Sequence, residues 1–250
     1  NQIYQDRNGF IWIATEDGLN RYDGAKFTIY KHEPNNEHSL AHNFVRTVFE
    51  DSKGHLLIGT YIGIQMYDPA TDNFTPLAKL EDTGETLESN INSFIERKNG
   101  EIWVSGNVLC KLDIKDHLLT VRKVDIAVTS PGSLFEDKKQ NVWMAKGEEG
   151  VYQLTPDNQL TLHLSKDNGC VKSICEDQRG NIYVGSIRKG LFIYDKERKT
   201  FVPVDLKEKG ELPVCFLYSG PQNELYIGTD GKGMSVYNNQ THEISEYNFD

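Results

Sequence analysis

Asp6-Arg7-Asn8-Gly9-Phe10-Ile11-Trp12-Ile13-Ala14-Thr15 lies near the start of the chain, and its pattern decides the fold. An Asp side chain can accept hydrogen bonds from its own downstream backbone, and Gly three residues on reaches positive φ. D-x-x-G is therefore a hairpin turn, and the apolar run after it reads as a strand. The stretch then returns along the chain. Copies are Asp51-Ser52-Lys53-Gly54 to Thr60, Arg97-Lys98-Asn99-Gly100 to Gly106, Asp137-Lys138-Lys139-Gln140 to Lys146 and Asp177-Gln178-Arg179-Gly180 to Ser186. A looser one is Gly220-Pro221-Gln222-Asn223 to Thr229. Aligning the large side chain gives Trp12, Leu57, Trp103, Trp143, Tyr183 and Tyr226, spaced by 40 to 46 residues. That is the period of a four-stranded propeller blade.

Each copy divides into four short strands. An apolar strand such as Val45–Glu50 or Val171–Glu176 precedes the D-x-x-G turn, and the Ile-Trp-Ile strand follows it. A second turn follows, marked by Gly18, Gly63, Gly150, Gly190 or Gly233, and leads to a strand ending near Tyr-Asp, as at Tyr22-Asp23, Tyr67-Asp68 and Tyr194-Asp195. A short fourth strand often carries Phe (Phe27, Phe74, Phe201). The expected fold is an all-β propeller of four-stranded blades, with six repeats visible, as part of a seven-bladed propeller. A closed six-bladed ring is the alternative. The blades fall at about 1-42, 43-88, 89-127, 128-168, 169-210 and 211-250 of a single propeller segment. Ile3 aligns with Val48, so the chain is expected to begin inside a first strand, with more blades following in a longer polypeptide.

Composition narrows the function. The 250 residues carry 37 acidic and 27 basic side chains, a formal net charge of -10. A phosphate-binding face wants a Lys/Arg stripe, so nucleic-acid contact is not expected of this segment. No apolar run approaches the roughly 18 residues of a membrane helix, and membrane contact is not expected either. Cys110, Cys170, Cys175 and Cys215 form no CxxC pair, which argues against a zinc knuckle, and no disulfide pairing follows from their spacing. No P-loop, G-x-S-x-G or H-E-x-x-H motif occurs. His38 and His42, four apart, lie in an expected loop. No metal and no cofactor is expected.

Within the repeat, Asp6-x-x-Gly9-x-Ile11-Trp12-Ile13-Ala14-Thr15-x-x-Gly18-Leu19-Asn20-Arg21-Tyr22-Asp23-Gly24 resembles the two-component regulator propeller repeat. The linker Tyr30-Lys31-His32-Glu33-Pro34-Asn35-Asn36-Glu37-His38-Ser39-Leu40 is also similar to that family's inter-blade segment. Blades one, two and five carry the resemblance best; Gln140 replaces the turn Gly in blade four and Gly220 the turn Asp in blade six. The sialidase Asp-box does not fit, because Tyr4, Phe49, Phe135 and Cys175 stand where it wants Ser or Thr. The resemblance implies the periplasmic sensor region of a Bacteroidetes hybrid two-component system, with a histidine kinase outside this segment. It also implies glycan fragments as ligands and downstream sensor domains of the same chain as partners. A homodimer of the parent protein is a further option.

Candidate binding residues follow from propeller geometry. The loop entering strand one and the turn between strands two and three share one face. From strand one, that face presents His42, Asn43, Arg46, Asn90, Asn92, Ser130, Asn168 and Lys172. The second turns add Glu16, Asp17, Tyr61, Asn107, Glu148, Glu149, Arg188, Lys189, Asp230 and Lys232. His42, Asn43, Arg46, Asn90, Asn92, Lys172 and Arg188 are the expected ligand-binding residues, since sugar hydroxyls need both donors and acceptors. Trp12, Trp103 and Trp143 share one register and are expected to pack between blades. The turn aspartates are explained by their turns, and no catalytic residue is expected. The leading function is a ligand-sensing propeller without turnover. A propeller lyase or glycosidase and a non-binding scaffold stay open as alternatives.

Overall fold

The computed structural model describes residues 1–164, 169–206 and 212–247. Its regular elements are β-strands, arranged as successive antiparallel sheets. Two compact units are distinguished, Asn1–Pro131 and Gly132–Asp250.

The first unit holds three sheets. The first comprises Gln2–Gln5, Ile11–Thr15, Gly18–Tyr22 and Phe27–Tyr30. The second comprises Val45–Glu50, Leu56–Thr60, Ile64–Asp68 and Asn73–Phe74. The third comprises Ser93–Glu96, Ile102–Ser105, Leu109–Lys115 and Leu118–Lys123. It is a five-stranded departure from the four-stranded pattern. Lys79–Leu80, from the preceding linker, adds in parallel to its outer strand through Thr120 and Val121. That addition covers an edge that would otherwise present unpaired backbone groups.

The second unit repeats the plan. Its sheets run Leu134–Glu136, Val142–Lys146, Gly150–Leu154, Leu160–Leu164; then Val171–Glu176, Ile182–Ser186, Gly190–Asp195, Thr200–Pro203; then Val214–Ser219, Glu224–Thr229, Met234–Asn238, Ile244–Tyr247. Register is the same throughout. The aligned large residue always faces the residue two before the turn: Trp12 opposite Tyr4, Leu57 opposite Phe49, Trp103 opposite Ile95, Trp143 opposite Phe135, Tyr183 opposite Cys175 and Tyr226 opposite Tyr218.

The turn aspartates hold this register. Asp6 Oδ1 accepts the backbone N–H groups of Asn8 (2.9 Å) and Phe10 (3.0 Å), while Oδ2 accepts the indole N–H of Trp12 at 2.7 Å. Asp137 does the same for Lys139, Asn141 and Trp143. Asp51 and Asp177 take the two backbone donors and give Oδ2 to His55 Nδ1 and Asn181 Nδ2. All four are buried, so a carboxylate is satisfied on both oxygens by groups of its own hairpin. Gly9, Gly54, Gly100 and Gly180 take positive φ at the fourth turn position; Gln140 and Asn223 adopt it too, at 66° and 59°. Sheet three, where Arg97 replaces Asp, solves the problem differently. Glu101 accepts from Trp103 Nε1 (3.0 Å) and Lys111 Nζ (2.6 Å), and the Arg97 guanidinium lies 4.6 Å over the indole.

Neighbouring sheets within each unit are latched by the Glu that precedes the first turn residue, Asp51, Arg97 or Asp177. Glu50 accepts from the Arg7 backbone N–H (2.8 Å) and pairs with its guanidinium at 2.5 Å. Glu96 accepts from Ser52 N (2.6 Å), and Glu176 accepts from Lys138 N (3.1 Å). Behind the latches the apolar faces meet. Trp12 and Ala14 pack with Val45, Val48, Ile58 and Tyr67, and Trp143 packs with Val171, Ile174, Val184 and Phe201. Trp12 and Trp143 thus lie between sheets, as their shared register implies. Arg21 lies 5.2 to 5.7 Å from the rings of Phe10, Trp12, Tyr30 and Tyr67 and pairs with Asp72 at 2.9 Å. The linker entering the third sheet comes close to the second at Gly59, where a Cβ would meet Ile91 Cγ2 at 2.7 Å.

Two outcomes test this account. Asp6→Ala leaves the Trp12 indole N–H buried without an acceptor and removes two turn caps. It lowers stability by about 2–3 kcal/mol in urea denaturation. The second concerns acid. The Lys111 ammonium, hydrogen-bonded to Glu101, holds that carboxyl at about 2, below its ordinary 4.5. A depressed folded value stabilises above 4.5, and that contribution disappears as pH falls from 4.5 toward 2. The melting-temperature gap between wild type and Glu101→Gln therefore closes over that window.

Candidate ligand-binding site

Strand one of the second sheet carries a β-bulge. The pairing with Leu56–Thr60 shifts between Val45 and Thr47, which leaves Arg46 as the extra residue. The same shift falls at Lys172 in sheet five and at Cys215 in sheet six. A bulge re-aims the side chain it carries. Here the Arg46 guanidinium turns over the ring of Phe44, 5.9 Å from its centroid. Arg46 is half-buried, and among the described residues no carboxylate pairs with it.

The patch continues through ring contacts. Phe44 lies 6.2 Å from Tyr61, and Tyr61 lies 5.5 Å from His42. The Tyr61 ring is 54% exposed, a large aromatic surface open to solvent. The loop that sets it is fixed by backbone bonds: Tyr61 N donates to Phe44 O at 3.0 Å, and Gly18 N donates to Asn43 O at 2.7 Å. His42 Nδ1 accepts the Phe44 backbone N–H at 2.9 Å. That nitrogen carries no proton, so in the neutral ring Nε2 is the donor.

Tyr61 also forms one wall of a 630 Å³ cavity, with Ile62, Leu77, Glu88, Ser89 and Asn90 around it. Asn90 lines it as well, and its Oδ1 is buried with no hydrogen-bond partner among the described residues. A second cavity of 790 Å³ shares Ile62, Leu77 and Thr86 with the first and extends to His32, Glu33 and His117. These three residues form a wall common to both cavities in the first unit.

The expected site residues therefore separate. His42, Arg46 and Asn90 border this patch and cavity. Asn43 and Asn92 commit their amides to the scaffold: Asn43 Oδ1 accepts from His32 N at 2.8 Å, and Asn92 Nδ2 donates to Pro131 O at 3.0 Å. Lys172 and Arg188 belong to the second unit. Lys172 is exposed on its bulge, and Arg188 pairs with Glu148 at 2.5 Å. Asn168 lies outside the described residues. Phe44 is absent from the expected face, although an aromatic directly ahead of a strand-one Val is visible in the sequence; Tyr61 is on that face as a second-turn residue but outside the expected ligand-binding set.

Nucleophilic chemistry finds little support. All four cysteines are free thiols, and burial pushes Cys110 up to about 11 and Cys175 up to about 12, away from the reactive thiolate. Among the described residues no group of three His, Cys, Asp or Glu is placed to hold a metal ion, and no helix is long and apolar enough to cross a membrane.

Comparison with known proteins places these features. The family model for the two component regulator propeller matches residues 1–17, 39–61 and 165–188, the best-formed copies of the repeat. The chain carries two-component regulator propeller repeats. Over 39 residues it is 44% identical to histidine kinase P4 of Formosa agariphila, a match covering 16% of this chain and 3% of that protein. Its fold resembles the extracellular domain of BT4673 from B. thetaiotaomicron, assigned to hybrid two component systems. The TM-score is 0.79 and identity 19%, over 98% of this chain and 35% of that one. It also resembles virginiamycin B lyase from Staphylococcus aureus, at TM-score 0.74 and 14% identity, over 99% of this chain and 83% of that one. The stacked sheets are thus blades of a β-propeller. The chain spans about a third of that extracellular domain.

Proposed function

We propose that this chain is an extracytoplasmic, ligand-receiving propeller of a hybrid two-component system, without turnover of its own, and that its ligand is a saccharide. The observation that carries the reading is the exposed Tyr61 side chain walling a cavity that Glu88, Ser89 and Asn90 also line. An aromatic face beside polar side chains suits a pyranose: the C–H face of the sugar packs on the ring, and its hydroxyls meet the polar groups. The repeats and the fold shared with an extracellular sensor domain support the location and the signalling role. Binding would act by favouring one arrangement of the parent's domains over another, passing the event to a kinase elsewhere in that parent.

The likeness to virginiamycin B lyase favours a second reading, that of an enzyme. A propeller hosts unrelated activities on its loops, so the fold does not choose between them. The donors and aromatic surface of the patch favour binding.

Thermal unfolding of the intact chain against a panel of plant and host oligosaccharides tests the proposal. One saccharide class raises the midpoint, with about 2.7 kcal/mol of stabilisation at a hundred times Kd. Tyr61→Ala abolishes that rise, and no cleavage products form. Cleavage products in the same wells would turn the reading to the enzyme.

A further inference from the structure

We infer that the ligand carries an anionic group, a carboxylate or a sulfate ester, which docks on Arg46. The inference rests on the saccharide-receptor reading and adds the charge class of the ligand.

Arg46 stands apart from the other arginines. Arg7, Arg21, Arg97, Arg188 and Arg198 each have a carboxylate within 4.0 Å. Arg122 and Arg179 are exposed and solvated. Arg46 alone among the described arginines is half-buried with only a ring beneath it. The chain has ten more acidic than basic side chains, so a carboxylate partner was available in composition and is absent in place. The bulge is what aims this guanidinium away from its strand and onto Phe44. Its five donors, held in one plane by the delocalised guanidinium, match the two oxygens of a carboxylate or of a sulfate edge.

The neighbours complete the arrangement. Neutral His42 offers its Nε2–H on the same patch, since Nδ1 is occupied by the Phe44 amide. Two donors and two aromatic rings lie on the Arg46 side of Tyr61. On the cavity side Thr86, Glu88, Ser89 and Asn90 line the wall, a mixed set of donors and acceptors that suits hydroxyls. Arg46, with no carboxylate of its own, therefore calls for a ligand with an anionic group at one end and hydroxyls at the other. A uronic acid or sulfated sugar unit has that distribution, and a neutral sugar leaves Arg46 unanswered.

The test is an array of oligosaccharides in matched neutral, uronic and sulfated forms, read with the intact chain, Arg46→Gln and, as a control for surface charge, Arg122→Gln. Circular dichroism and the thermal midpoint check that each variant folds. The anionic members bind and their neutral counterparts bind at least about tenfold more weakly. Arg46→Gln loses about tenfold or more for the anionic members while Arg122→Gln does not, and raising salt from about 50 mM to 500 mM weakens binding. Whether the uronic or the sulfated arm responds identifies the group. Neutral members that bind as well as anionic ones, or an Arg46→Gln variant with unaltered binding, overturn the anionic assignment and leave the receptor reading standing. A folded wild-type chain that binds no saccharide on the array overturns the receptor reading and this inference with it.

Discussion

A carboxylate buried at a hairpin turn is the constraint from which the rest of this protein follows. Asp6, Asp51, Asp137 and Asp177 each take two backbone N–H groups on one oxygen and a side-chain donor on the other. An ionised group in that position is expensive to bury alone and favourable only when all of its acceptor capacity is met. The hairpin therefore has one register open to it. That register puts the large residue of strand two on the face that meets the next sheet, and it presents the backbone N–H after the Asp to the Glu of that sheet. Local hydrogen bonding, strand pairing and sheet packing agree at every level, which is the mark of a sequence that specifies one fold.

With the turn end of each blade fixed, the opposite end is free to differ. The bulge position shows this. It holds Arg46, Lys172 and Cys215 in three blades of the same register, a cation, a second cation and a thiol in one structural slot. The scaffold does not care which residue stands there, so the slot can be given to recognition. The patch around Tyr61 is the outcome in the first unit: rings held by backbone bonds, a guanidinium without a carboxylate, and a buried amide oxygen without a donor. None of these contributes to the packing between sheets.

Much of this could be read from residue order, because a repeat multiplies each signal. One D-x-x-G turn is a weak motif; several at intervals of 40 to 46 residues fix strand positions, register and blade type together. The buried tryptophans followed from their shared register. Other features were invisible for physical reasons. Lys79–Leu80 joins the third sheet by a two-residue parallel pairing, too short to leave a periodicity. The Glu latches stand in plain sight at Glu50, Glu96 and Glu176, yet their partners are 38 to 44 residues away, and a Glu ending a strand looks like any solvated residue. At the site, sequence order put His42, Arg46 and Asn90 on the candidate face as neighbours of turns. It could not tell that Asn43 and Asn92 spend their amides on the scaffold, nor that Arg188 is met by Glu148. Those distinctions depend on which polar atoms find partners in three dimensions.

Native-state hydrogen exchange of individual amides tests the central claim most directly. The amides of Phe10, His55, Asn141 and Asn181 lie in turns, where exchange is ordinarily fast, but each donates to a buried carboxylate oxygen. If these carboxylates hold the blades, the four amides exchange only through large-scale opening and approach the protection of the central strands. Exchange of these four at the rate of exposed turn amides would show that the turns open independently of the blades, and would contradict the account.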